Sequence, residues 1–163
     1  DLVLLDLGAE YRYYCADISR TYPANGKFTE RQKILYEAAL EAQEEVIKAL
    51  KPGLPIDYTK VIADKILVKR CKEIGLIKKD EEITKYFFHG VAHYVGLDTH
   101  DVGDRDELML GMALAVEVGL YVREEKVGIR IEDIVIITES GCEVISEDIP
   151  KTVKDIECFM KNI

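Results

Sequence analysis

The sequence has few of the features that mark secreted, membrane-bound or nucleic-acid-binding proteins. Its four cysteines, Cys15, Cys71, Cys142 and Cys158, form no CxxC pair, and their spacing suggests no disulfide framework. They read as small hydrophobes in a reducing, cytoplasmic setting. No apolar run approaches the ~18 residues of a bilayer-spanning helix, and no signal peptide is visible, so no membrane partner is expected. Basic residues are in deficit: 22 Lys and Arg stand against 31 Asp and Glu, for a net charge of −9 and a pI of about 4.9. That balance argues against nucleic acid and against an anionic membrane surface as partners. Repeats, linkers and low-complexity stretches are also missing. So is an initiator Met: Asp1 leads straight into the strand-like Leu2-Val3-Leu4-Leu5, which reads as a piece of something longer.

With 163 residues, 48% hydrophobic and 33% charged, the chain suits one domain with a real core. Residues 2–7 and about 12–18 read as a hairpin with Tyr11-Arg12 at its tip. That register sets Asp6 opposite Asp17, where two carboxylates about 5 Å apart repel by about 3 kcal/mol at an effective dielectric near 20. Residues 29–50 predict an amphipathic helix, opened by a capping box of Thr29 and Gln32 and closed by Pro52-Gly53. Its apolar stripe is Ile34, Leu35, Ala38, Ala39, Ala42, Val46 and Leu50. A second helix is expected over 58–74, with Asp57 as N-cap and Gly75 past its end. Residues 78–85 form a charged connection, 112–122 and 129–138 read as strands, 142–145 as a short third strand, and 151–160 as a terminal helix. The order suggests an α+β fold: an antiparallel sheet with helices on its outer face.

Asp6, Asp17, His93, Glu117 and Glu132 each lie in or beside an apolar stretch, where a lone charge is costly to bury. Together they read as one dinuclear metal site of four carboxylates and an imidazole. Two divalent cations would cancel the four negative charges and bring the net charge to about −5. Alternation on the last long strand puts Arg130 and Glu132 on one face and Ile129, Ile131 and Asp133 on the other. An Arg–Glu pair on a solvated face would explain Glu132 equally. Glu117 could be an exposed edge residue; Tyr121 shares its face. All three histidines, His89, His93 and His100, fall within twelve residues. His89 and His93, four apart, could chelate a metal on a helix, although Gly90 weakens that helix, and a Gly-rich loop could satisfy any one of them. Oxygen-rich ligation with one imidazole suits Mn, Co, Fe or Zn as divalent ions. Two such ions close together can share and acidify a water molecule.

Several strings resemble the pita-bread-fold metallopeptidases of the aminopeptidase P and prolidase group. They are Asp6-Leu7-Gly8, Asp17-Ile18-Ser19-Arg20-Thr21-Tyr22-Pro23, Asn25-Gly26-Lys27-Phe28-Thr29, the run His89-Gly90, His93, Gly96-Leu97-Asp98 and His100-Asp101-Val102-Gly103, and Gly128-Ile129-Arg130-Ile131-Glu132-Asp133. The resemblance spans essentially the whole chain. Methionine aminopeptidases share the fold but differ around the histidines, and rank second. The resemblance implies a curved antiparallel sheet and two divalent ions, Mn foremost. Asp6 would chelate one ion, Asp17 and Glu132 would bridge both, and His93 and Glu117 would complete the other. Glu117 would also handle the proton of the attacking water. His89 and His100 would hold the substrate and the developing oxyanion, with Tyr121 and Arg130 supporting substrate and bridge. The implied reaction is removal of an N-terminal residue before proline, or cleavage of an Xaa-Pro dipeptide. An acylated proline nitrogen has no N–H, so ordinary peptidases handle this bond poorly. Separately, apolar surface left where the family's missing segments would pack predicts a homodimer.

The sequence departs from the family at four places. Val118 replaces the usual Pro, Leu110-Gly111-Met112 replaces Pro-Gly-Met, and Tyr13 stands where a hairpin Gly is common. The family's N-terminal domain and the first part of its catalytic domain, with a substrate-lining His, have no counterpart in this chain. The expectation is that residues 1–163 form one domain, the C-terminal part of a pita-bread catalytic domain, with weak or no turnover alone. A non-catalytic metal-binding or interaction fragment is the alternative; the intact ligand set disfavours a metal-free hydrolase of the creatinase type.

Overall fold

Along residues 1–103 and 107–161, which this computed structural model describes, the order is β1 (Leu2–Leu7), β2 (Glu10–Tyr11), β3 (Tyr14–Cys15), β4 (Ile18–Pro23), α1 (Glu30–Ala49), α2 (Tyr58–Glu73), β5 (Ala92–Tyr94), β6 (Ala113–Val122), β7 (Val127–Ile137), β8 (Cys142–Val144) and α3 (Val153–Met160). The fold is α+β. Strands β5-β6-β7-β8 form one antiparallel sheet, and β1 pairs with β4 in a second. Alternation divides the two longest strands cleanly. Leu114, Val116, Val118 and Leu120 of β6, with Ile129, Ile131 and Val135 of β7, are buried in the core shared with α1. Ala115, Glu117, Gly119 and Tyr121, with Arg130 and Glu132, face the other way. Helix α1 packs on this sheet and α2 packs on α1, so both lie on the side away from those polar residues.

Helix α1 begins as its sequence predicts. The Gln32 N–H donates to Thr29 Oγ1 (3.2 Å) and the Thr29 N–H donates to Gln32 Oε1 (2.8 Å), closing the capping box. Its buried stripe differs from that expectation: Ile34 is exposed, while Tyr36 and Gln43 are fully buried. The expected loop at 78–85 contains a 3-10 turn, Asp80–Lys85. The stretch holding His89 and His93 is not a helix. His93 lies on β5 and His89 precedes it, so the i, i+4 chelate is overturned; Gly90 and the apolar run into the strand explain why.

The first hairpin also differs from expectation. Asp6 pairs with Ser19 rather than Asp17, and the tip is Arg12-Tyr13, flanked by the Tyr11–Tyr14 pair. The expected strand 12–18 is broken at residues 16–17, beside Gly8. A Cβ at Gly8 would lie 1.7 Å from the Ala16 carbonyl oxygen, so the two segments approach too closely for any side chain there. The register shift is two residues. It therefore leaves Asp17 on the face that Asp6 occupies, as a diagonal rather than a direct neighbour.

Arg12 and Tyr13 both adopt left-handed backbone, with φ of 52° and 70°. That pair of conformations makes a two-residue hairpin turn, which favours Asn-Gly because a Cβ is strained there. Tyr13 is exposed, so its side chain does little to offset the strain. Tyr13→Gly is expected to stabilise the chain by about 0.5–1 kcal/mol, read as a higher urea midpoint with an unchanged slope.

Candidate metal centre

The β6–β7 register places Glu117 directly opposite Glu132, and Gly119 opposite Arg130. Strand β5 adds His93 beside Ala115, a small residue that leaves room for the imidazole. The β1–β4 ribbon brings Asp6 and Asp17 over the same face. The ribbon is held to β7 by Thr21, whose hydroxyl donates to the Arg130 carbonyl (3.1 Å) and accepts from the Arg130 amide (3.0 Å). One side chain thus does the work of a strand-to-strand pair.

The five expected ligands converge. Ligand atoms of Asp6, Asp17 and Glu132 lie within 4.8 Å of one another, as do those of His93, Glu117 and Glu132, and those of Asp17, His93 and His100. Glu132, only 2% exposed, belongs to two of these groups and joins them. His93 Nε2 stands 3.6 Å from both Asp17 Oδ2 and Glu132 Oε1, and 3.9 Å from Glu117 Oε1.

That nitrogen is the clearest test of whether a cation fits. His93 Nδ1 lies 3.1 Å from the Tyr94 carbonyl oxygen, which can only accept, so the proton is on Nδ1 in the neutral ring. Nε2 then presents a lone pair to three carboxylates. It is buried, and among the described residues it finds no hydrogen-bond partner. A lone pair aimed at carboxylates suits a shared cation, and an N–H bonded to a carbonyl is the usual outer support of a ligating histidine.

Without a cation the charges disturb one another. Burial, then Glu132 and Asp6, push the Asp17 carboxyl up to about 6. Burial and the opposed Glu132 push Glu117 up to about 7. Burial alone would depress His93, but its contacts with Glu132, Tyr94 and Glu117 raise it overall. His89 is lowered, first by burial and then by Arg130 and Lys60.

The remaining expected residues form the wall of the site. His89 Nε2 lies 2.9 Å from the Tyr121 hydroxyl, and its Nδ1 3.7 Å from Glu117 Oε2. Tyr121 folds back along its own strand over Gly119, where a Cβ would sit 2.4 Å from the tyrosine oxygen. His100 stacks against His93 with ring centroids 4.2 Å apart, and its side chain is 76% exposed at the mouth. Arg130 reaches Asp6 through Nη2, the Tyr121 hydroxyl through Nη1 (3.4 Å) and Ser19 Oγ through Nε (3.0 Å).

Sequence reasoning missed two supports. Ser19 was only part of a string, yet its hydroxyl contacts both Glu132 and Arg130. Asp133 was placed on the core face, but not as a charge. Fully buried, it accepts from Arg20, Ser146, Gln43 and Lys151 at 2.6–2.9 Å. Arg20 also donates to the Glu132 carbonyl at 2.5 Å. The available signal was alternation: Asp17, Ser19 and Thr21 share one face of β4, and Arg20 faces the other way, toward Asp133.

Comparison with known proteins agrees with this architecture. The profile of metallopeptidase family M24 matches residues 1–139. The Xaa-Pro aminopeptidase of Escherichia coli (strain K12) is 39% identical over 180 residues, covering 98% of this chain and 41% of the relative. That of Haemophilus influenzae is 36% identical, covering 98% and 42%. A solved structure of an aminopeptidase P candidate from Bacillus anthracis superposes with a TM-score of 0.97 at 50% identity, over 99% of this chain and 39% of that one. Zinc-substituted E. coli aminopeptidase P in complex with product gives 0.94 at 38% identity. The chain spans about two fifths of the length of these curated relatives, 41% and 42%. With a profile match over most of its length and the curved antiparallel sheet backed by helices, the chain belongs to metallopeptidase family M24 and has its pita-bread fold.

Proposed function

We propose that this chain supplies the metal centre for hydrolysis of Xaa-Pro peptide bonds, of the aminopeptidase P or prolidase type. The observation that carries the reading is the orphaned His93 Nε2 at the junction of two acidic groups that share Glu132. In this reading Asp6, Asp17, His93, Glu117 and Glu132 hold two divalent ions. Oxygen-rich ligation favours Mn, with Co, Zn and Fe as substitutes. When bound, such ions acidify water and polarise a carbonyl.

The chain's own groups do the rest. Glu117, shifted toward neutrality, takes and returns a proton at its carboxylate. His89 and Tyr121, already bonded to each other, orient the substrate. His100, at the mouth, meets the peptide and the oxyanion that develops on it. Arg130 holds Asp6 and Tyr121 in place. Residues 1–163 act as one unit of a larger catalytic domain, a reading supported by a single continuous core and by the share of each relative that is matched. Four cysteines with no paired spacing fit a reducing cytoplasm. A homodimer is the proposed assembly, supported by the exposed apolar stripe of Val3, Leu5 and Leu7 on β1.

Elemental analysis after purification with Mn is expected to find about two ions per chain, with loss of metal in Asp17→Ala. Metal-free protein in both would overturn the reading. Given bound metal, Glu117→Gln is expected to lower Xaa-Pro peptide hydrolysis by about 100-fold or more while retaining part of the metal.

The same substitution has a metal-free signature. A carboxyl whose pKa is raised by folding contributes stability that is present below its unfolded pKa and lost as pH rises through the folded one. For Glu117 that window runs from about 4.5 to about 7. Glu117→Gln is therefore expected to match wild type in melting temperature at the acid end and to exceed it near neutrality. The expected gain is about 1–2 kcal/mol, or roughly 4 °C, measured by calorimetry in chelator.

A further inference from the structure

Ser19 is fully buried near the start of β4, with its side chain on the site face. Its hydroxyl lies 2.7 Å from Glu132 Oε2 and 3.0 Å from Arg130 Nε. The direction of both bonds is fixed, because a guanidinium can only donate. Arg130 Nε–H gives to the hydroxyl oxygen, and the hydroxyl proton goes to Glu132 Oε2. With Oε2 held on this side, Oε1 is the oxygen turned toward His93. The same guanidinium reaches Asp6 and the Tyr121 hydroxyl. One hydroxyl therefore connects the cation of the site wall to the carboxylate that both ligand groups share.

We propose that Ser19 is a positioning residue: it transmits the orientation of Arg130 to Glu132 and holds that carboxylate turned so that two divalent ions can share it. This rests on the dinuclear reading of the centre. The bland alternative is that Ser19 only helps to fasten the β1–β4 ribbon to β7. Thr21 provides the control. It is equally buried, sits two residues along on the same face, and among the described residues its hydroxyl bonds only the Arg130 main chain. If fastening is all that matters, loss of either hydroxyl should have the same consequence.

The test is calorimetric titration of metal-free protein with Mn, using wild type, Ser19→Ala and Thr21→Val, beside metal-free crystal structures of wild type and Ser19→Ala. Ser19→Ala is expected to weaken the second ion by about 10–100-fold, the usual effect of losing an outer-shell partner. Thr21→Val is expected to lower the melting temperature and to weaken Mn binding less than Ser19→Ala does. In Ser19→Ala crystals the Glu132 carboxylate is expected to be turned or split between two conformers. Unchanged Mn affinity in Ser19→Ala, or an equal loss in Thr21→Val, would overturn the proposal. Should wild type take up no Mn, the functional reading fails, and Ser19 is judged on the crystals alone: an unmoved Glu132 overturns its role. Should Ser19→Ala not fold, Ser19→Cys, a much weaker donor, replaces it in both measurements.

Discussion

The antiparallel register of β6 and β7 sets two glutamates face to face, and most of the site answers that one constraint. Directly opposed residues place their Cβ atoms about 5 Å apart, where two carboxylates repel by about 3 kcal/mol at an effective dielectric near 20. The strands cannot slip to relieve it. A shift of β6 by one residue would turn Val116 and Val118 out of the core and bring Glu117 in against α1. The strain is met chemically instead. Glu117 is pushed up to about 7, Arg130 stands two residues along, and contact with the same carboxylates raises His93, favouring its charged form.

The cations of the wall are shared sparingly. Arg130 contacts Asp6, Ser19 and Tyr121 at once, and lies 3.9 Å from Glu117. One positive charge among four carboxylates leaves the centre strongly negative. Asp133, on the opposite face of β7, is the contrast. Arg20 and Lys151 both reach it, and its carboxyl lies below the ordinary range: burial opposes ionisation, but Arg20 and the bonds from Lys151 and Ser146 outweigh it. Adjacent residues of one strand thus carry acids of opposite character. One is fully neutralised within the protein, and the other is left for something that the protein does not itself supply.

Much of this was legible in the sequence, for identifiable reasons. The capping box of α1 and the alternation of β6 and β7 are local signals, and both fixed which face each residue would take. The five candidate ligands stand out as charges in apolar surroundings, and the fold brings their side chains together. The hairpin was less legible. Its turn uses Arg and Tyr in left-handed backbone, residue types that carry no turn signature, so the tip was placed one residue early. A Gly at position 13 would have marked the turn, and Tyr13 gives no such mark. Asp6 and Asp17 still share a face because the error was an even number of residues. The roles of Ser19 and Asp133 were hidden because they depend on contacts between segments more than a hundred residues apart.

The segment that follows β8 adds a mechanical dimension. Ser146 and Lys151 bond Asp133, and the carbonyls of Ile149 and Pro150 accept from Arg20, while Arg20 itself grips the main chain at Glu132. The polypeptide beyond the last strand is therefore a buckle drawn over the back of the ligand-bearing strand. A protease nick after β8 would remove no ligand and little of the core. It would leave the buried Arg20–Asp133 pair short of partners directly behind Glu132, so damage at the tail would be passed to the candidate site.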